Sequence, residues 1–251
     1  MPKKSSKSKK PLVSIIIRTK NEQRTIGKLL KVLTQQTFKK FEVIIVDDNS
    51  IDKTLESVEN FSKKLIIKVI NLKPGEFSYP YAANFGASKA KGKYLCFLVG
   101  HSLPFSDTWL TDGLANFKNP KVAGVSGCYS EIPIGYFSRK IGKLFFRPGD
   151  KKRLNFYPNM TNTCSLIRKA LWEKYPFDEK LPECEDYDWA HEMLARGYNV
   201  IKDPKFNIFH SHFFLGQRMN WFARKKRWRP LTSQLNKRKR PRKSYTRLKI
   251  S

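Results

Sequence analysis

Short apolar runs alternate with amphipathic segments along the first hundred residues. The runs, which are nearly unbroken and end in polar turns, are 12–17, 41–46, 65–72 and 94–99. Between them, three helices are predicted: one at 23–36, one that begins after an N-cap at Ser50 or Asp52, and one at 79–92. Strands that alternate with helices at this spacing predict right-handed βαβ crossovers and a mostly parallel sheet.

The alternation loosens beyond residue 110. A strand is predicted in VAGVSGCYSE (122–131), and the segment 162–204 is typical of a strand, a short helix, an acidic loop and an amphipathic helix that ends at Gly197. With 251 residues, of which 40% are hydrophobic, the chain is long and apolar enough to bury a full core. We therefore expect one α/β domain with appendages.

The positive charge is concentrated at the two ends of the chain. Of a formal net charge of +29, residues 1–10 contribute five lysines and residues 218–251 contribute fourteen Lys or Arg, with no acid in either segment. Such runs attract phosphate groups of lipids or nucleic acids. We expect a disordered basic arm at 1–11, a globular body at 12–215 and a basic, aromatic helix with a disordered tail at 216–251.

Cysteine usage and hydropathy favour a reducing compartment. The four cysteines, at 96, 128, 164 and 184, form no C-x-x-C pair, which is not the spacing of a zinc site or a disulfide framework. No apolar stretch reaches the roughly 20 residues of a membrane span, and the start of the chain lacks the apolar region of a secretory signal. These features predict a cytoplasmic protein, soluble or peripheral at the inner face of the membrane.

Three polar clusters follow predicted strands. They are RTKNE (18–22), VDDNS (46–50) and VGHSLP (99–104). Each could be a solvated turn, because Asp, Asn and Ser favour turns. Since open α/β sheets bind ligands at the carboxyl ends of their strands, the three clusters together predict a ligand site at one sheet edge.

The same clusters carry a family resemblance. The segment VSIIIRTKNEQRTIGKLLKVLTQQTFKKFEVIIVDDNSIDKT resembles the opening of a family 2 glycosyltransferase of the GT-A fold, and the likeness continues through AANFGASKAKGKYLCFL to about His212. It implies a Rossmann-like three-layer sandwich with a nucleotide-binding half at 12–100 and an acceptor half at 101–215. The implied reaction moves a hexosyl or deoxyhexosyl group from a nucleotide-diphosphate donor, usually with inversion.

The resemblance also implies a donor site. The positions that match family positions at or near the nucleotide donor are Thr19, Asn21, Glu22, Asp47, Asp48 and Asn84. One aspartate of the acidic pair typically holds the uracil or ribose in this family. Two local alternatives stay open, because Glu22 could cap a helix and Asp47 could orient its loop.

The sequence departs from the family where the metal normally binds. The positions of the Asp-x-Asp motif are Val99, Gly100 and His101, so no carboxylate is available there. His101 could ligate a divalent cation, Mn²⁺ or Mg²⁺, together with His210 or His212; it could donate a hydrogen bond to the diphosphate without a metal; the site could be inactive; or His101 could be a structural turn residue.

A second carboxylate pair matches the family on the acceptor side. Glu185 and Asp186, in PECEDYDWAHEM, match the Glu-Asp pair at the entry to a helix. An inverting transfer needs a base that accepts the proton of the acceptor hydroxyl, and the resemblance implies Asp186 in that role, with Glu185 supporting it. The alternative is that Asp186 or Asp188 caps the helix, while Trp189 is expected in the core.

The basic carboxyl-terminal segment has three interpretations. Arg and Lys interleaved with Trp221, Phe222 and Trp228, before a tail expected to be disordered after Pro230, could contact an anionic membrane, bind nucleic acid or be solvated. Membrane contact suits a lipid-linked acceptor best. The sequence thus predicts an enzyme of polysaccharide or lipopolysaccharide assembly that uses a UDP- or dTDP-sugar and a saccharide or lipid-linked acceptor. The alternative is a noncatalytic nucleotide-sugar or polyanion-binding protein on the same fold.

Overall fold

A computed structural model of the chain describes residues 10–130, 153–154, 160–210, 221–237 and 241. These residues form one β-sheet with helices on both faces. The strands are β1 (Val13–Thr19), β2 (Phe41–Asp47), β3 (Ile67–Asn71), β4 (Tyr94–Val99), β5 (Ser102–Pro104), β6 (Val122–Ser130), β7 (Arg153–Leu154), β8 (Cys164–Arg168) and β9 (Asn199–His210). The α-helices are α1 (Ile26–Thr34), α2 (Thr54–Glu59), α3 (Tyr79–Ser88), α4 (Trp109–Ala115), α5 (Lys169–Lys174), α6 (Glu185–Ala195) and α7 (Trp221–Asn236).

The sheet is mixed, with the strand order β3-β2-β1-β4-β8-β6-β9-β5 and β7 paired to β9. Its first four strands are parallel, as their alternation with helices predicts. Strand β8 then runs antiparallel to both β4 and β6. Strands β6 and β9 are again parallel to each other, so six of the nine described strands run in one direction and β5, β7 and β8 run in the other. The prediction of a mostly parallel sheet is confirmed, with antiparallel strands in its second half.

Two apolar layers make the sandwich. One face of the sheet packs against α1, α2 and α4, and the other packs against α3, α5 and α6. All seven residues of β1 are buried, in agreement with the nearly unbroken apolar run at 12–17. Helix α3 lies close to the sheet at Gly86, where a Cβ would come within 2.5 Å of Ile16 Cγ2. The α/β three-layer prediction is confirmed.

Several helix boundaries differ from the predictions. Helix α2 begins after Lys53, so neither Ser50 nor Asp52 is its N-cap residue. Ser50 instead bonds Asp47, and Asp52 accepts hydrogen bonds from the backbone and side chain of Thr54. Helix α1 is shorter than 23–36, and α3 ends at Ser88 instead of near residue 92.

The ends of the last two helices show one prediction confirmed and one corrected. Gly197, with φ +80°, follows the end of α6 as predicted. Helix α7 continues through Pro230 to Asn236, so the expected disorder after Pro230 is wrong for residues 231–236. In the described part of the chain, no helix combines the length and apolar character that crossing a bilayer requires.

The cysteines for which side chains are described are thiols. Cys96 and Cys164 are buried and Cys184 is partly buried, with no disulfide among them. Burial, with a smaller contribution from Cys164, raises the pKa of the Cys96 thiol well above its ordinary value. Such a thiol is unreactive at neutral pH, as expected of a small core residue.

Candidate active site

The three polar clusters meet at one edge of the sheet. Strand β1 lies between β2 and β4, with Thr19 beside Asp47 and Arg18 beside Val99. The amide of Gly100 donates to the carbonyl of Arg18 at 3.0 Å, so the turn after β4 folds back onto the end of β1. This is the edge where an open α/β sheet binds its ligand.

Asp47 shapes the loop after β2. Its two carboxylate oxygens accept hydrogen bonds from the amide and the hydroxyl of Ser50, at 2.8 and 2.6 Å. Asn21, in the left-handed region with φ 54°, donates its amide to the same Ser50 hydroxyl. These contacts agree with the orienting role considered for Asp47, and they tie Asn21 to the same turn.

Asp48 and Thr19 are better placed to meet a ligand. The Asp48 carboxylate accepts from Lys20 Nζ at 2.8 Å, and the lysine side chain is 59% exposed. The hydroxyl of Thr19 is buried and has no hydrogen-bond partner among the described residues. A buried polar group without a partner costs free energy, so a ligand that bonds this hydroxyl recovers that cost.

Asn84 uses all its hydrogen-bonding groups within the protein. Its Nδ2 donates to the Phe177 carbonyl and to Glu179, and its Oδ1 accepts from Trp172 Nε1 and the Phe177 amide. The side chain is buried in the layer that α3 and α5 form on the sheet. A donor contact by Asn84 stays a prediction; the geometry gives it a positioning role.

His101 lies at the centre of a buried polar cluster. Its Nδ1 is 2.6 Å from Glu22 Oε1, and its Nε2 is 3.0 Å from Nε2 of His210 at the end of β9. The other oxygen of Glu22 accepts from the Thr25 hydroxyl at 2.6 Å. Glu22 thus lies behind His101 and orients its ring, which differs from the direct donor contact that the resemblance implies.

The two facing imidazoles define what they can bind. As a carboxylate, Glu22 accepts a hydrogen bond from His101 Nδ1–H, which leaves the lone pair of a neutral ring on Nε2. Two protonated Nε2 atoms cannot face each other at this distance, so the space between them suits either one shared proton or one cation. The position expected for the second Asp of Asp-x-Asp therefore presents a nitrogen atom.

The fit to a divalent cation depends on the ion. The described residues contain no group of three or more His, Cys, Asp or Glu side chains able to hold a metal, and His212 lies outside them. Two Nε2 atoms 3.0 Å apart subtend about 90° at an ion about 2.1 Å from each. The pair therefore fits an ion that accepts nitrogen ligands, with ligand oxygens completing its shell, and lacks the oxygen donors that Mg²⁺ prefers.

The second carboxylate pair begins helix α6. Asp186 accepts backbone hydrogen bonds from Asn162 and Tyr187, both at 2.7 Å. Glu185 accepts from the Asn162 side chain at 3.1 Å and from Arg18 Nη1 at 3.3 Å. Arg18 therefore connects the end of β1 to the carboxylate pair of α6, so the three clusters at the sheet edge and this pair lie side by side.

Burial and the neighbouring Glu185 raise the pKa of Asp186 to about 7, against the opposing effect of the Asn162 and Tyr187 amides and Arg18. A carboxyl group with this pKa is suited to accept a proton near neutral pH. The residue before the helix, Cys184, adopts φ 68° and supplies no side-chain cap. Asp186 accepts the Tyr187 amide in the first turn, so it also has the local role at the helix start that was considered for it, and Trp189 lies in the core as expected.

Two residues of the site carried no prediction. Arg18 donates to the Tyr79 carbonyl at 3.0 Å as well as to Glu185. Its signal was a charged residue at the end of an otherwise apolar strand, where a buried cation requires a partner. No local pattern singled out Asn162, because its contact with Glu185, 23 residues further along the chain, forms only in the folded protein. His210, rather than His212, is the late histidine within the described residues.

The family model for glycosyl transferase family 2 matches residues 14–175. The chain is 26% identical over 217 residues to a dolichyl N-acetyl-alpha-D-glucosaminyl phosphate 3-beta-D-2,3-diacetamido-2,3-dideoxy-beta-D-glucuronosyltransferase of Methanococcus voltae, covering 80% of this chain and 66% of that protein. It is 34% identical over 198 residues to the glycosyltransferase AglE of Haloferax volcanii, covering 76% of this chain and 64% of that protein.

Solved GT-A glycosyltransferases share the fold. The mannosyltransferase PcManGT of Pyrobaculum calidifontis, in complex with GDP-Man and Mn²⁺, superposes with a TM-score of 0.68 at 18% identity, over 87% of this chain and 61% of that one. Staphylococcus aureus TarS 1–349 in complex with UDP superposes with a TM-score of 0.62 at 21% identity, over 79% of this chain and 60% of that one. The chain thus spans about two thirds or less of these proteins. Because the family model covers most of the chain, from β1 to the end of α5, this protein belongs to glycosyl transferase family 2.

Proposed function

We propose that this protein transfers a sugar from a nucleotide-diphosphate sugar to a hydroxyl of a saccharide or lipid-linked acceptor, with inversion at the anomeric carbon. The carrying observation is the Arg18 bridge between the carboxyl end of β1 and Glu185, at 3.3 Å. This bridge holds the carboxylates of α6 beside the edge where a nucleotide binds. Donor and base are then within one pocket, as a displacement reaction requires.

The residues divide the chemistry between them. Asp186 takes the proton of the acceptor hydroxyl as that oxygen forms a bond to the anomeric carbon. The bond from this carbon to the diphosphate oxygen breaks, and the diphosphate leaves with its electron pair. Glu185, paired with Arg18 and held by Asn162, keeps Asp186 in place, and its negative charge raises the pKa of Asp186.

His101 and His210 lie where the leaving diphosphate is expected. A divalent cation of the Mn²⁺ type would be held by their Nε2 atoms and would neutralise charge on the diphosphate when bound. Glu22 fixes the His101 ring through Nδ1, in the manner of carboxylates behind metal-binding histidines. The Thr19 hydroxyl and the Asp48 carboxylate are assigned to the nucleoside.

The relatives guide the choice of substrates. One relative is named for a dolichyl-linked acceptor, another, Staphylococcus aureus TarS, for poly(ribitol-phosphate). For this chain we propose a UDP- or dTDP-sugar donor and a role in polysaccharide or lipopolysaccharide assembly at the inner face of the membrane. The basic carboxyl-terminal segment would contact anionic lipid there, in preference to nucleic acid.

Calorimetric titration of UDP and dTDP tests the donor site. Wild type, His101→Ala and Asp186→Asn are compared in EDTA, Mn²⁺ and Mg²⁺. We expect nucleotide binding that Mn²⁺ strengthens more than Mg²⁺ and that His101→Ala weakens, because the histidines supply nitrogen ligands. Binding that is equal in EDTA and Mn²⁺ but weakened by His101→Ala would assign His101 to the diphosphate directly.

Turnover tests the enzyme against the noncatalytic alternative. Asp186→Asn should bind nucleotide like wild type and transfer sugar at least about a hundredfold more slowly, since general-base catalysis contributes about 10²–10⁴-fold. Unchanged transfer by Asp186→Asn would remove Asp186 as the base. Donor binding by wild type without turnover of any UDP- or dTDP-sugar would favour the binding protein.

A further inference from the structure

Helix α7 is docked beside the loop that leads into the proposed base. Glu183, on this loop, accepts hydrogen bonds from Arg227 Nε at 3.2 Å and from Trp228 Nε1 at 2.6 Å, one to each carboxylate oxygen. The Glu183 side chain is only 16% exposed. Trp228 thus makes its polar contact within the protein, where membrane-interface contact was expected.

A second contact lies about two turns further along α7. Asn236 Oδ1 accepts from the Tyr187 hydroxyl at 2.6 Å and is 3.0 Å from His191 Nε2. The neighbouring Leu235 is buried. Helix α7 therefore contacts the chain on both sides of Glu185 and Asp186, at Glu183 and at Tyr187.

The described part of α7 has two distinct faces. Its partly or fully buried positions recur at helical spacing and are Trp228, Leu231, Thr232 and Leu235. The cationic side chains that are exposed are Lys226, Arg227, Arg229 and Lys237. This pattern is that of a helix packed on the domain, with its cations outward, and differs from that of a solvated tail.

The backbone turns sharply at Cys184, between Glu183 and the proposed base Asp186. Cys184 has φ 68°, a conformation that a non-glycine residue adopts only when its surroundings impose it. Glu183 is immediately before this turn, and Glu185 and Asp186 immediately after it. The contacts made by Glu183 therefore constrain the direction in which the two acidic side chains leave the backbone.

We propose that Glu183 is a positioning residue for the transfer reaction, and that α7 holds it through Trp228 and Arg227 so that Asp186 faces the acceptor hydroxyl. This inference rests on the proposed function. It makes α7 a structural part of the acceptor half. A misplacement of about 1 Å in a catalytic group can lower a rate about a hundredfold, so loosening this contact should act on kcat.

The experiment compares Glu183→Ala, Trp228→Phe and the double variant in steady-state transfer assays with the full chain. Each single variant should lower kcat about tenfold to a hundredfold, with nucleotide binding within about twofold of wild type. The double variant should be no worse than the poorer single variant, because both changes remove the same contact. Glu183→Gln keeps an oxygen that accepts from Trp228 Nε1, and should recover most of the rate.

The matched control is Glu173→Ala. Glu173 also pairs with a lysine, Lys169 at 3.5 Å, but its side chain is 54% exposed on α5. This control should keep wild-type kcat. Equal kcat for wild type, Glu183→Ala and Trp228→Phe would overturn the inference, even if thermal stability fell. If Asp186→Asn is inactive while these variants are unaffected, only the positioning role fails; if Asp186→Asn is fully active, the proposed function fails first.

Discussion

At the scale of single residues, the chemistry depends on how a few hydrogen bonds aim polar side chains at one sheet edge. Glu22 fixes the ring of His101, and Arg18 holds Glu185 next to Asp186, the proposed base. Each of these carboxylates is almost fully buried and is paired with a cation or an imidazole. Buried charges of this kind require partners, so removal of one partner should have effects well beyond a lost hydrogen bond.

The raised pKa of Asp186 predicts the pH dependence of transfer. Since the base acts as a carboxylate, kcat/KM should rise with pH and level off above an apparent pKa near 7. Glu185→Gln removes the negative charge that helps to raise this pKa, so the acid limb should move to lower pH. Rate profiles between pH 5 and 9 measure both. This account would be contradicted if Glu185→Gln left the acid limb of the kcat/KM profile in place. It would also be contradicted if Glu173→Gln, a change at an exposed site, moved that limb equally.

The local roles of these residues were readable from the sequence to different degrees. Asp186 and His101 stood out because they follow predicted elements and match or break a motif. Glu22 was expected at the donor and His210 was one of two candidate partners of His101, but the contact between Glu22 and His101 was not predicted, because 79 residues separate them along the chain. Contacts over such separations depend on the order of strands in the sheet, which no local pattern encodes.

At the scale of elements, close approach between helix and sheet decides where substitutions are tolerated. In α3, a Cβ at Gly86 would lie 2.5 Å from Ile16 Cγ2 and 2.8 Å from Val46 Cγ2. In α1, a Cβ at Gly27 would have its nearest neighbours at 4.0 Å. The same chemical change is therefore blocked by the sheet in one helix and accommodated in the other.

Gly86→Ala and Gly27→Ala should change stability in opposite directions. Overpacking at Gly86 should lower the free energy of unfolding by about 1–3 kcal/mol. Alanine at position 27 should raise it by about 0.5–1 kcal/mol, because glycine is a poor helix former. Urea denaturation of the two variants and wild type gives both values. A Gly86→Ala protein as stable as Gly27→Ala would show that α3 does not press on the sheet as described.

The elements of the first half were predictable because each was set by its own periodicity. Of the later strands, β6 and β8 were predicted, whereas β5 and β7 were not, because strands of three and two residues carry no periodic pattern of their own. The predicted N-cap of α2 is wrong because Lys53 occupies that position. The Ser50 hydroxyl donates to Asp47, and Asp52 accepts from the hydroxyl of Thr54.

At the scale of the whole molecule, the basic carboxyl terminus divides into a docked helix and the chain beyond it. Leu235 and Asn236 belong to the docked part, so a truncation after Pro230 would disturb the acceptor half. A cleaner separation removes residues 238–251, which carry seven Lys or Arg and no acid.

Deletion of 238–251 should weaken binding to vesicles that contain phosphatidylglycerol and leave donor hydrolysis in solution unchanged. The reason is electrostatic, because each basic residue near an anionic bilayer contributes about 1 kcal/mol. Cosedimentation with phosphatidylglycerol and with phosphatidylcholine vesicles checks this expectation. The control is a full chain in which three exposed lysines at the β3 edge of the sheet, Lys63, Lys64 and Lys68, are changed to Gln. Equal binding by the deletion and wild type would remove the proposed membrane contact.

The position of β8 has a consequence for how enzymes of this shape can be rebuilt. This strand is inserted between β4 of the amino-terminal half and β6 of the carboxyl-terminal half, and it pairs with both. A fragment ending near residue 100 would leave β4 as an open, apolar edge prone to self-association. A chimera joined after β4 must therefore bring its own strand in the place of β8, and that strand must pair with β4 in the same antiparallel register. The fit of this one strand decides whether the exchanged part can complete the sheet.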